Sequence, residues 1–297
     1  MEFKWTYDQA DTLLLRTFLK RQGISKKLLA KIKFQGGKIY VNNKEKNVLF
    51  SLKSHDKVTV VIPDEKGHDT LLADDVPIEI VFEDDHLLIV NKPPGVASIP
   101  AQYHPTGTMA NRVKAYYVKQ GYKNQVVHVV TRLDKDTSGL MLFAKHGFAH
   151  AKLDQELQKK TLIKKYQALV SGKIAALSEH GQINLPILRD RTSLIKRKTD
   201  ESGQNALTEY WLSERNKQIA LVDIQLHTGR THQIRVHFSA VECPLLGDEL
   251  YGGRMDLGIT RQALHCCALS FKHPFTGEML AFSLPLAKDM EIIAKEL

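Results

Sequence analysis

The order of strand-like and helix-like segments after residue 76 restricts the fold more than any other feature of this chain. Short apolar segments of strand length lie at 78–83, 87–90, 126–130, 140–143, 166–170, 207–211, 219–225, 233–238 and 269–271. Helical spacing of apolar residues occurs around 109–117 and 149–157. Strands thus outnumber helices and do not alternate with them, as a parallel α/β fold would require. The pattern predicts an α+β domain with a mixed, largely antiparallel β-sheet and flanking helices.

The beginning of the chain has a different pattern, which predicts a separate small unit. A first helix is expected after Asp11, and a second one after Ser25, because both residue types cap helices. Gly36 and Gly37 end the second helix, and short strands follow on either side of the turn-forming pair Asn42-Asn43. We predict a small basic α/β domain at 1–65, a polar linker at 66–76 and a large domain at 77–297.

Positive charge is concentrated in the small unit. The protein carries a net charge of +9, and the segment from Arg16 to Lys57 alone holds twelve Lys or Arg against two acidic residues, a net +10. Such a segment is typical of a surface that binds a polyanion, because neutralising phosphates releases condensed counterions. A solvated face that only confers solubility is the alternative interpretation.

Several function classes are disfavoured by the composition. Hydrophobic residues make up 43% of the chain, yet no apolar run reaches the roughly 18 residues of a membrane span. The first residues lack the apolar core of a signal peptide. Three cysteines offer no disulfide framework, and His227, His232 and His237 recur at intervals of five, which converge on neither a strand nor a helix. We therefore expect a cytoplasmic protein without a bound metal.

The decapeptide from Thr131 to Leu140 lies between two apolar segments and contains the first candidate for chemistry. Spacing by two would place Arg132 and Asp134 on one strand face. A carboxylate beside a guanidinium stays ionised and is oriented by its partner, as a nucleophile or a base requires. A structural ion pair at a strand end would explain the same residues. This segment alone leaves both interpretations open.

A second polar segment follows Gly229. Alternation along a strand would place Arg230 and His232 on one face with apolar residues. A guanidinium on an apolar face needs a carboxylate partner, because an unpaired buried charge is very costly. Asp134 is therefore the predicted partner of Arg230. Tyr166 enters another predicted strand, where it is either a core residue or a ring on which a base can stack.

Several motifs occur together in a fixed order between residues 77 and 286. They are Asn91-Lys92-Pro93, Arg132-Leu133-Asp134 with Thr137-Ser138-Gly139, Lys165-Tyr166, Thr228 to Arg235, Gly247-Asp248 with Tyr251-Gly252-Gly253, Leu264-His265 and His273-Pro274. In this order they resemble the ribosomal large-subunit pseudouridine synthase family of the A and D class. One position departs from the family pattern, since Thr131 stands where the family usually has histidine.

The resemblance implies that the chain isomerises uridine to pseudouridine in RNA without a cofactor or a metal. It implies that Asp134 is the catalytic carboxylate, that Arg230 is its salt-bridge partner and that Tyr166 stacks on the flipped uracil. Arg132 would fill the space that the base vacates. On the same grounds we assign substrate binding to a further set of motif residues: Lys92, Thr137, His232, Gln233 and Arg235.

Residues 12–63 loosely resemble the alpha-L RNA-binding fold, named from a small-subunit ribosomal protein. That resemblance assigns RNA binding to the lysines on and after the second helix, namely Lys26, Lys27, Lys31, Lys33 and Lys38. We expect a monomer that acts on structured RNA, with 23S rRNA as the first expected substrate and tRNA as the alternative.

Two other functions remain as alternatives. A ribosome-associated RNA-binding protein could keep this fold without activity, although such a protein would be free to lose Asp134 and Tyr166. A hydrolase using Ser138 or His232 is disfavoured, because no Gly-x-Ser-x-Gly motif surrounds Ser138.

Overall fold

A computed structural model of the protein describes residues 1–65, 70–101 and 105–297. Residues 66–69, which belong to the predicted linker, lie outside this description. Within the described ranges, no helix has the length and apolar character needed to cross a membrane.

The first 65 residues form a small sheet with two helices around an apolar core, to which Phe148 from later in the chain also contributes. The elements are β1 Glu2–Tyr7, β2 Leu13–Leu14, α1 Leu15–Arg21, α2 Lys26–Phe34, β3 Lys38–Val41, β4 Lys44–Glu45, β5 Ser51–Leu52 and β6 Asp56–Val61. Four strands pair in the antiparallel order β1-β6-β3-β4, and β2 pairs separately with β5. The helices pack on the sheet through a buried apolar cluster.

Local signals placed the second helix of this unit correctly and the first one less well. The Ser25 side chain accepts a hydrogen bond from the backbone N–H of Leu28 at 3.1 Å, which confirms the predicted cap of α2. Asp11 does not cap α1, which begins at Leu15. The backbone carbonyl of Asp11 instead accepts a hydrogen bond from the Tyr7 hydroxyl. Leu13 and Leu14 are extended because they pair with β5.

The rest of the described chain is built around one large sheet. Its elements are β7 Glu79–Glu83, β8 Leu87–Lys92, α3 Met109–Lys119, β9 His128–Val129, β10 Ser138–Ala144, α4 Gly147–Gln158, β11 Ile163–Ser171, β12 His180–Asn184, β13 Ile187–Arg189, β14 Arg197–Thr199, β15 Leu207–Arg215, β16 Ile219–Leu226, α5 Gln233–Ala240, β17 Leu264–Lys272, β18 Met279–Ser283 and α6 Lys288–Ala294. The main path runs β12-β15-β16-β11-β17-β10-β8-β7, with β18 on β17 and β9 on β10. The described pairings are antiparallel except for β10 with β17, which confirms the predicted fold class.

Both faces of the sheet are covered by helices. On β8, Leu87 and Ile89 belong to a core shared with α4 and α5, whereas Leu88 and Val90 belong to a core shared with α3. Successive strand residues point to opposite faces, so a continuous apolar run is what a strand covered on both sides requires. The sheet is thereby a rigid support for the loops at its edges.

One predicted element has a different structure. Residues 233–238 form the helix α5 rather than a strand. Ile234 and Phe238 lie one helical turn apart in the core, and Gln233, Arg235 and His237 are buried as well. An alternating polar and apolar pattern indicates a strand only when its polar side chains face solvent. Here they are buried with hydrogen-bond partners, so the pattern was misleading.

Candidate active site

Asp134 lies on an irregular segment between β9 and β10, so Arg132 and Asp134 do not share a strand face as their spacing suggested. The backbone N–H of Thr137 donates to the carbonyl of Asp134 at 3.2 Å, which closes a turn. The buried hydroxyl of Ser98 fixes the residue before the aspartate, since it donates to the Leu133 carbonyl at 2.7 Å and accepts from the Leu133 N–H at 3.0 Å. Thr131 takes part in the same support, because its hydroxyl accepts from the Leu142 N–H at 2.9 Å. The loop is thus held at both sides of Asp134.

The side chain of Lys92 supports the Asp134 loop from inside the protein. Its side chain is fully buried, and its amine donates to the carbonyls of Pro93, Val96 and Lys135 at 2.7–2.9 Å. Burial lowers the pKa of Lys92 to about 7 despite the nearby carboxylate of Asp136. All three of its donors are used inside the protein, so the predicted contact of Lys92 with substrate is corrected to a supporting role.

Asp134 is paired with Arg235, and neither with Arg132 nor with Arg230 as predicted. The Oδ2 atom of Asp134 lies 3.5 Å from Nη1 of Arg235, and this is its ion pair within the part of the chain that the structure describes. Arg235 also donates to both oxygens of Asp248, at 2.7 and 2.8 Å. The helix α5 explains the difference, because it turns Arg235 toward the Asp134 loop.

The three charged side chains differ in how deeply they are buried. The Asp248 side chain is 1% exposed and that of Arg235 is 8% exposed, whereas that of Asp134 is 29% exposed. Burial opposes the charge of Arg235, but its hydrogen bonds to Asp248 and the charges of both carboxylates raise its pKa. The guanidinium is therefore a fixed cation. It is anchored on its buried side by Asp248 and leaves the Asp134 carboxylate accessible to a ligand.

Arg230 and Gln233 have other contacts. The exposed Arg230 donates from Nε to the Asn205 carbonyl at 3.1 Å, although its side chain lines the same cleft as Asp134. The buried Gln233 accepts from the Thr228 hydroxyl and from the Arg230 N–H, and it donates to Leu207 and Thr208. The predicted contact of Gln233 with substrate is therefore corrected. Its amide holds the turn before α5.

Tyr166 lies in the cleft as predicted, on the central strand β11. Opposite it, β17 has one extra residue, so that Cys266 and Cys267 face the single residue Tyr166 in a β-bulge. Bulges re-aim side chains and are common next to functional sites. Burial raises the pKa of Tyr166 well above its ordinary value. Its phenol is therefore uncharged, and its ring forms an apolar wall of the cleft.

His232 is held in an unusual backbone conformation at the start of α5. Its φ is 58°, in the left-handed region that is uncommon for residues other than glycine. Its Nδ1 lies 2.9 Å from the Tyr251 hydroxyl, which also accepts from the Arg197 N–H. The phenol of Tyr251 can therefore donate its own proton to Nδ1 of His232. Burial lowers the pKa of His232, so the neutral ring is favoured near neutral pH.

The cleft that contains these groups is lined by residues of the three predicted motifs. They are Arg132, Leu133, Asp134, Thr137, Lys164, Tyr166, Leu226, Gly229, Arg230, His232, Gln233, Ile234, Arg235 and Leu264. A neighbouring groove shares Arg132, Asp134 and Lys164 with it and extends to Leu157. Of the predicted substrate-binding residues, Arg132, Thr137, His232 and Arg235 lie here as expected.

Sequence reasoning missed Lys164, Asp248 and Tyr251 as site residues. Lys164 lines the cleft and both grooves beside it. It precedes Tyr166 by two residues on a strand, and that spacing places two side chains on one face. This signal was available. Asp248 and Tyr251 belong to motifs that the sequence shows, but their roles could not be predicted because their partners lie elsewhere in the chain.

The predicted RNA-binding lysines differ in whether they form ion pairs within the protein. Lys26, Lys27 and Lys33 of α2 are exposed. Lys31 forms an ion pair with Glu65 at 3.4 Å, and Lys38 forms one with Glu45 at 2.9 Å. Within residues 1–65, 70–101 and 105–297, no group of three or more His, Cys, Asp or Glu side chains could hold a metal ion.

The sequence of this chain is similar to those of known proteins. Residues 86–240 match the family model described as RNA pseudouridylate synthase. The uncharacterized RNA pseudouridine synthase YjbO of Bacillus subtilis (strain 168) is 45% identical over 285 residues, which cover 95% of this chain and 99% of that protein. Ribosomal large subunit pseudouridine synthase D of Vibrio parahaemolyticus is 38% identical over 240 residues, which cover 76% of this chain and 72% of that protein.

A solved structure shares the fold. That of human RNA pseudouridylate synthase domain containing 4 aligns with a TM-score of 0.61 at 23% identity, covering 74% of this chain and 92% of that one. The predicted family is therefore confirmed by the sequence matches, and the fold by the structural match. The chain belongs to the RNA pseudouridylate synthase family, and it is an RNA pseudouridine synthase, an isomerase.

Proposed function

We propose that this protein isomerises specific uridines of structured RNA, and that Asp134 is the catalytic carboxylate, acting on a base flipped into the cleft. One observation carries the proposal. The accessible carboxylate of Asp134 is oriented by the buried cation of Arg235 and shares its cleft with the ring of Tyr166. A charged group beside an apolar ring is what a site for a flipped base requires.

The reaction needs no second substrate. The bond between N1 of uracil and C1′ of ribose breaks, the base turns, and a bond from C5 to C1′ forms. C5 loses a proton and N1 gains one, so atoms and electrons balance. The carboxylate of Asp134 serves each route that is open: attack on the sugar, attack on the ring, or removal of the 2′ proton.

Other residues of the cleft have proposed roles in binding. The uncharged ring of Tyr166 stacks on the uracil, and a stacked base regains part of the few kcal/mol lost on leaving the helix. Arg132 is exposed at the rim, where its side chain can fill the space that the base vacates. Lys164 and Arg230 make the rim positive, which favours the phosphates beside the target nucleotide.

The basic segment before residue 65 is proposed as a second RNA-binding unit. Its exposed lysines on α2 read the backbone and not the base sequence. The relative from Vibrio parahaemolyticus is named a ribosomal large subunit enzyme. On this support we propose 23S rRNA as the first target to test, with tRNA as the alternative.

A tritium-release assay on transcripts labelled at C5 of uridine tests the catalytic role. Asp134→Asn keeps the size of the side chain and removes its charge, so we expect RNA binding within about two-fold of wild type and turnover reduced at least ~10³-fold. Asp136→Asn, in the same loop, is the matched control and should stay within several-fold of wild type. Turnover by Asp134→Asn near the level of this control would exclude Asp134 as the catalytic group.

Carbodiimide mapping of pseudouridine in rRNA and tRNA identifies the target. A deletion strain is compared with strains complemented by wild type and by Asp134→Asn. We expect one or more sites to vanish on deletion and to return with wild type alone. Loss in tRNA instead of rRNA would correct the proposed substrate. Sites that the inactive variant restores would indicate an RNA-binding protein without catalytic function in the cell.

A further inference from the structure

The backbone carbonyls of the Asp134 loop accept hydrogen bonds from groups of the protein itself. Those of residues 133–135 accept from three donors, namely the Ser98 hydroxyl, the Thr137 N–H and the Lys92 amine. The next carbonyl, that of Asp136, accepts from Nη1 of Arg261 at 3.1 Å. An irregular segment has no strand or helix partners, so its backbone polar groups depend on contacts of this kind. Arg261 is therefore one of the groups that fix the path of the loop.

Arg261 belongs to a short segment before β17 that makes further contacts with the end of the loop. Nη2 of Arg261 donates to the Ser138 hydroxyl at 3.4 Å, and Nδ1 of His265 lies 2.9 Å from the same oxygen. The Gln262 amide donates to the Thr137 hydroxyl at 3.3 Å. The parallel pairing of β10 with β17 begins here, where Ser138 lies opposite His265. This segment thus holds the chain where it leaves the loop.

The other side of the Arg261 guanidinium is held by the helix α6. Nε and Nη2 of Arg261 donate to the two carboxylate oxygens of Asp289 on α6, at 2.6 and 2.7 Å. The Arg261 side chain is 9% exposed, and a charge buried to this degree needs such a partner. Burial opposes the charge of Asp289, but the hydrogen bonds and the charge of Arg261 lower its pKa. A forked pair fixes the plane of the guanidinium, which directs Nη1 to the Asp136 carbonyl.

The helix α6 is itself anchored in a core of its own. Met290 and Ile293 are buried in a cluster with residues of β11 and β16, and this cluster is separate from the one that contains Tyr166. The helix therefore does not depend on the cleft for its position. Through Asp289 and Arg261, that position is transmitted to the loop.

We propose that Arg261 is a positioning residue for the reaction: held by Asp289, it fixes the backbone at Asp136 and thereby places the Asp134 carboxylate. This inference rests on the proposed function and adds a residue that acts on its catalytic group. The Thr137 N–H closes a turn on the Asp134 carbonyl, so a displacement at Asp136 within this turn also moves Asp134. A displacement of about 1 Å at a catalytic group can reduce turnover ~10²-fold. If Arg261 only attached α6 to the domain, its loss would lower stability and leave turnover by the folded protein unchanged.

Single-turnover tritium release measures the chemical step, with enzyme in excess over a 23S rRNA transcript labelled at C5 of uridine. For Arg261→Gln we expect the rate to fall at least ~10-fold, and the Kd for the same transcript to stay within about two-fold of wild type. For Asp289→Asn we expect a fall of roughly three- to ten-fold. The double variant should be no slower than Arg261→Gln alone, because Asp289 acts through Arg261 and the two effects are then not additive.

Two control variants separate positioning from stability and from the loss of an ion pair as such. Asp256→Asn makes the same change in another forked pair, since Arg254 donates to both oxygens of Asp256 at 3.0 and 2.8 Å. Ile293→Val weakens the core under α6 and leaves Arg261 and Asp289 in place. Both controls should keep the rate within about two-fold of wild type. All rates are measured below the melting temperature of each variant, as thermal denaturation reports it.

Hydrogen exchange of the peptide that covers residues 133–138 gives a readout without RNA and without turnover. We expect exchange at least ~5-fold faster than in wild type in Arg261→Gln and in Asp289→Asn, because the loop opens more often. The two controls should exchange like wild type. If Arg261→Gln does not fold, Asp289→Asn decides by the same rate and the same exchange.

Unchanged turnover and exchange in Asp289→Asn, or a fall in rate that Ile293→Val shares, would overturn the positioning role. The proposed function fails by a different result, which is turnover by Asp134→Asn at the level of wild type. If Asp134→Asn is inactive and Arg261→Gln has the wild-type rate, the catalytic proposal stands and the positioning role fails. If Asp134→Asn is active, faster exchange in Arg261→Gln would still support the contact that fixes the loop.

Discussion

At the scale of single residues, Arg235 determines the electrostatics of the site. It is buried between two carboxylates and bonds closely to one of them, Asp248, which is itself almost fully buried. Removing one partner of a buried ion pair is more costly than replacing an exposed charge, because the remaining charge stays desolvated. A planar guanidinium also holds its partners in a geometry that a lysine amine cannot reproduce. Arg235 is thus expected to affect both folding and turnover.

Arg235→Lys keeps the charge and removes the forked geometry. We expect turnover to fall by roughly 100-fold, the size of effect caused by small displacements in a catalytic site, and the melting temperature to fall as well. Arg230→Lys is the matched comparison in the same motif, and we expect less than a ten-fold loss. Tritium release and thermal denaturation measure both variants. A larger loss of turnover in Arg230→Lys would favour the pairing that the sequence motif suggested.

At the scale of elements, the site depends on a close approach between two strands. The parallel pair β10 and β17 places Gly139 next to Cys266, close to the bulge that faces Tyr166. Gly139 has φ of 112°, and a Cβ atom there would lie 2.3 Å from the Cys266 carbonyl oxygen. Only glycine allows both this backbone conformation and this approach. This close approach fixes the register between β10, which follows the Asp134 loop, and β17, which pairs with the strand that carries Tyr166.

Gly139→Ala should therefore destabilise the fold and displace the loop. We expect a loss of roughly 2–4 kcal/mol in the free energy of unfolding, because backbone strain and overpacking act together. Gly258→Ala is the control, since Gly258 also has a positive φ, 78°, but nothing lies within 4 Å of its added Cβ. Denaturant unfolding of both variants separates the cost of overpacking against Cys266 from the cost of an alanine at positive φ. Equal losses would show that the contact with Cys266 is unimportant.

Tyr251 connects a second pair of elements, since it orients the histidine at the start of α5. Tyr251→Phe removes the hydroxyl that contacts His232 and leaves the Arg197 N–H without its acceptor. We expect turnover to fall by about three- to ten-fold, as loss of one positioning hydrogen bond costs about 1 kcal/mol. The acid limb of the pH profile of turnover should move to higher pH, because Nδ1 of His232 is then free to accept a proton. Lower stability with unchanged kinetics would limit Tyr251 to a role in folding.

At the scale of the whole molecule, the boundary between the two parts depends on an ionised group. Glu65 of the small unit accepts hydrogen bonds from His128 and from the Gly147 N–H of the large domain. Burial opposes its charge, but these hydrogen bonds and the charge of Lys31 lower the pKa of Glu65 to about 2 in the folded protein, against an ordinary value of 4.5. A carboxyl whose folded pKa is lowered contributes stability that is fully present above its ordinary value and is lost as pH falls toward the folded value. The difference is on the order of 3 kcal/mol. The side chain is 15% exposed, so solvent screens it little.

Comparison of wild type with Glu65→Gln over a pH series tests whether the ionised carboxylate of Glu65 stabilises this boundary. We expect the melting temperature of wild type to exceed that of the variant by a constant amount above about pH 5. The difference should shrink as pH falls from about 4.5 toward 2, because the unfolded wild type binds a proton at Glu65 that the folded protein does not, whereas the variant has no carboxylate there. A difference that is independent of pH over this range would mean that the carboxylate charge does not stabilise the boundary.

Much of the fold and part of the site could be predicted from local signals. The apolar segments of the large sheet and the cap at Ser25 depend on neighbours in the chain, and the structure confirms both. The motifs around Asp134 and Tyr166 were predicted to belong together, and the structure places both residues on one cleft. The sequence therefore predicted that a carboxylate and an aromatic ring would be used together, before their positions were known.

Only the tertiary structure decided which groups meet. Alternation along a strand favoured Arg230 as the partner of Asp134, but this segment forms the helix α5, which brings Arg235 to Asp134 instead. Lys92 and Gln233 resemble ligand-binding residues in a motif, yet burial uses up their hydrogen bonds within the protein. The docking of the N-terminal sheet depends on Glu65 and its distant partners. In each case the deciding energy comes from desolvation and from contacts between residues far apart in the chain, and local sequence carries no record of either.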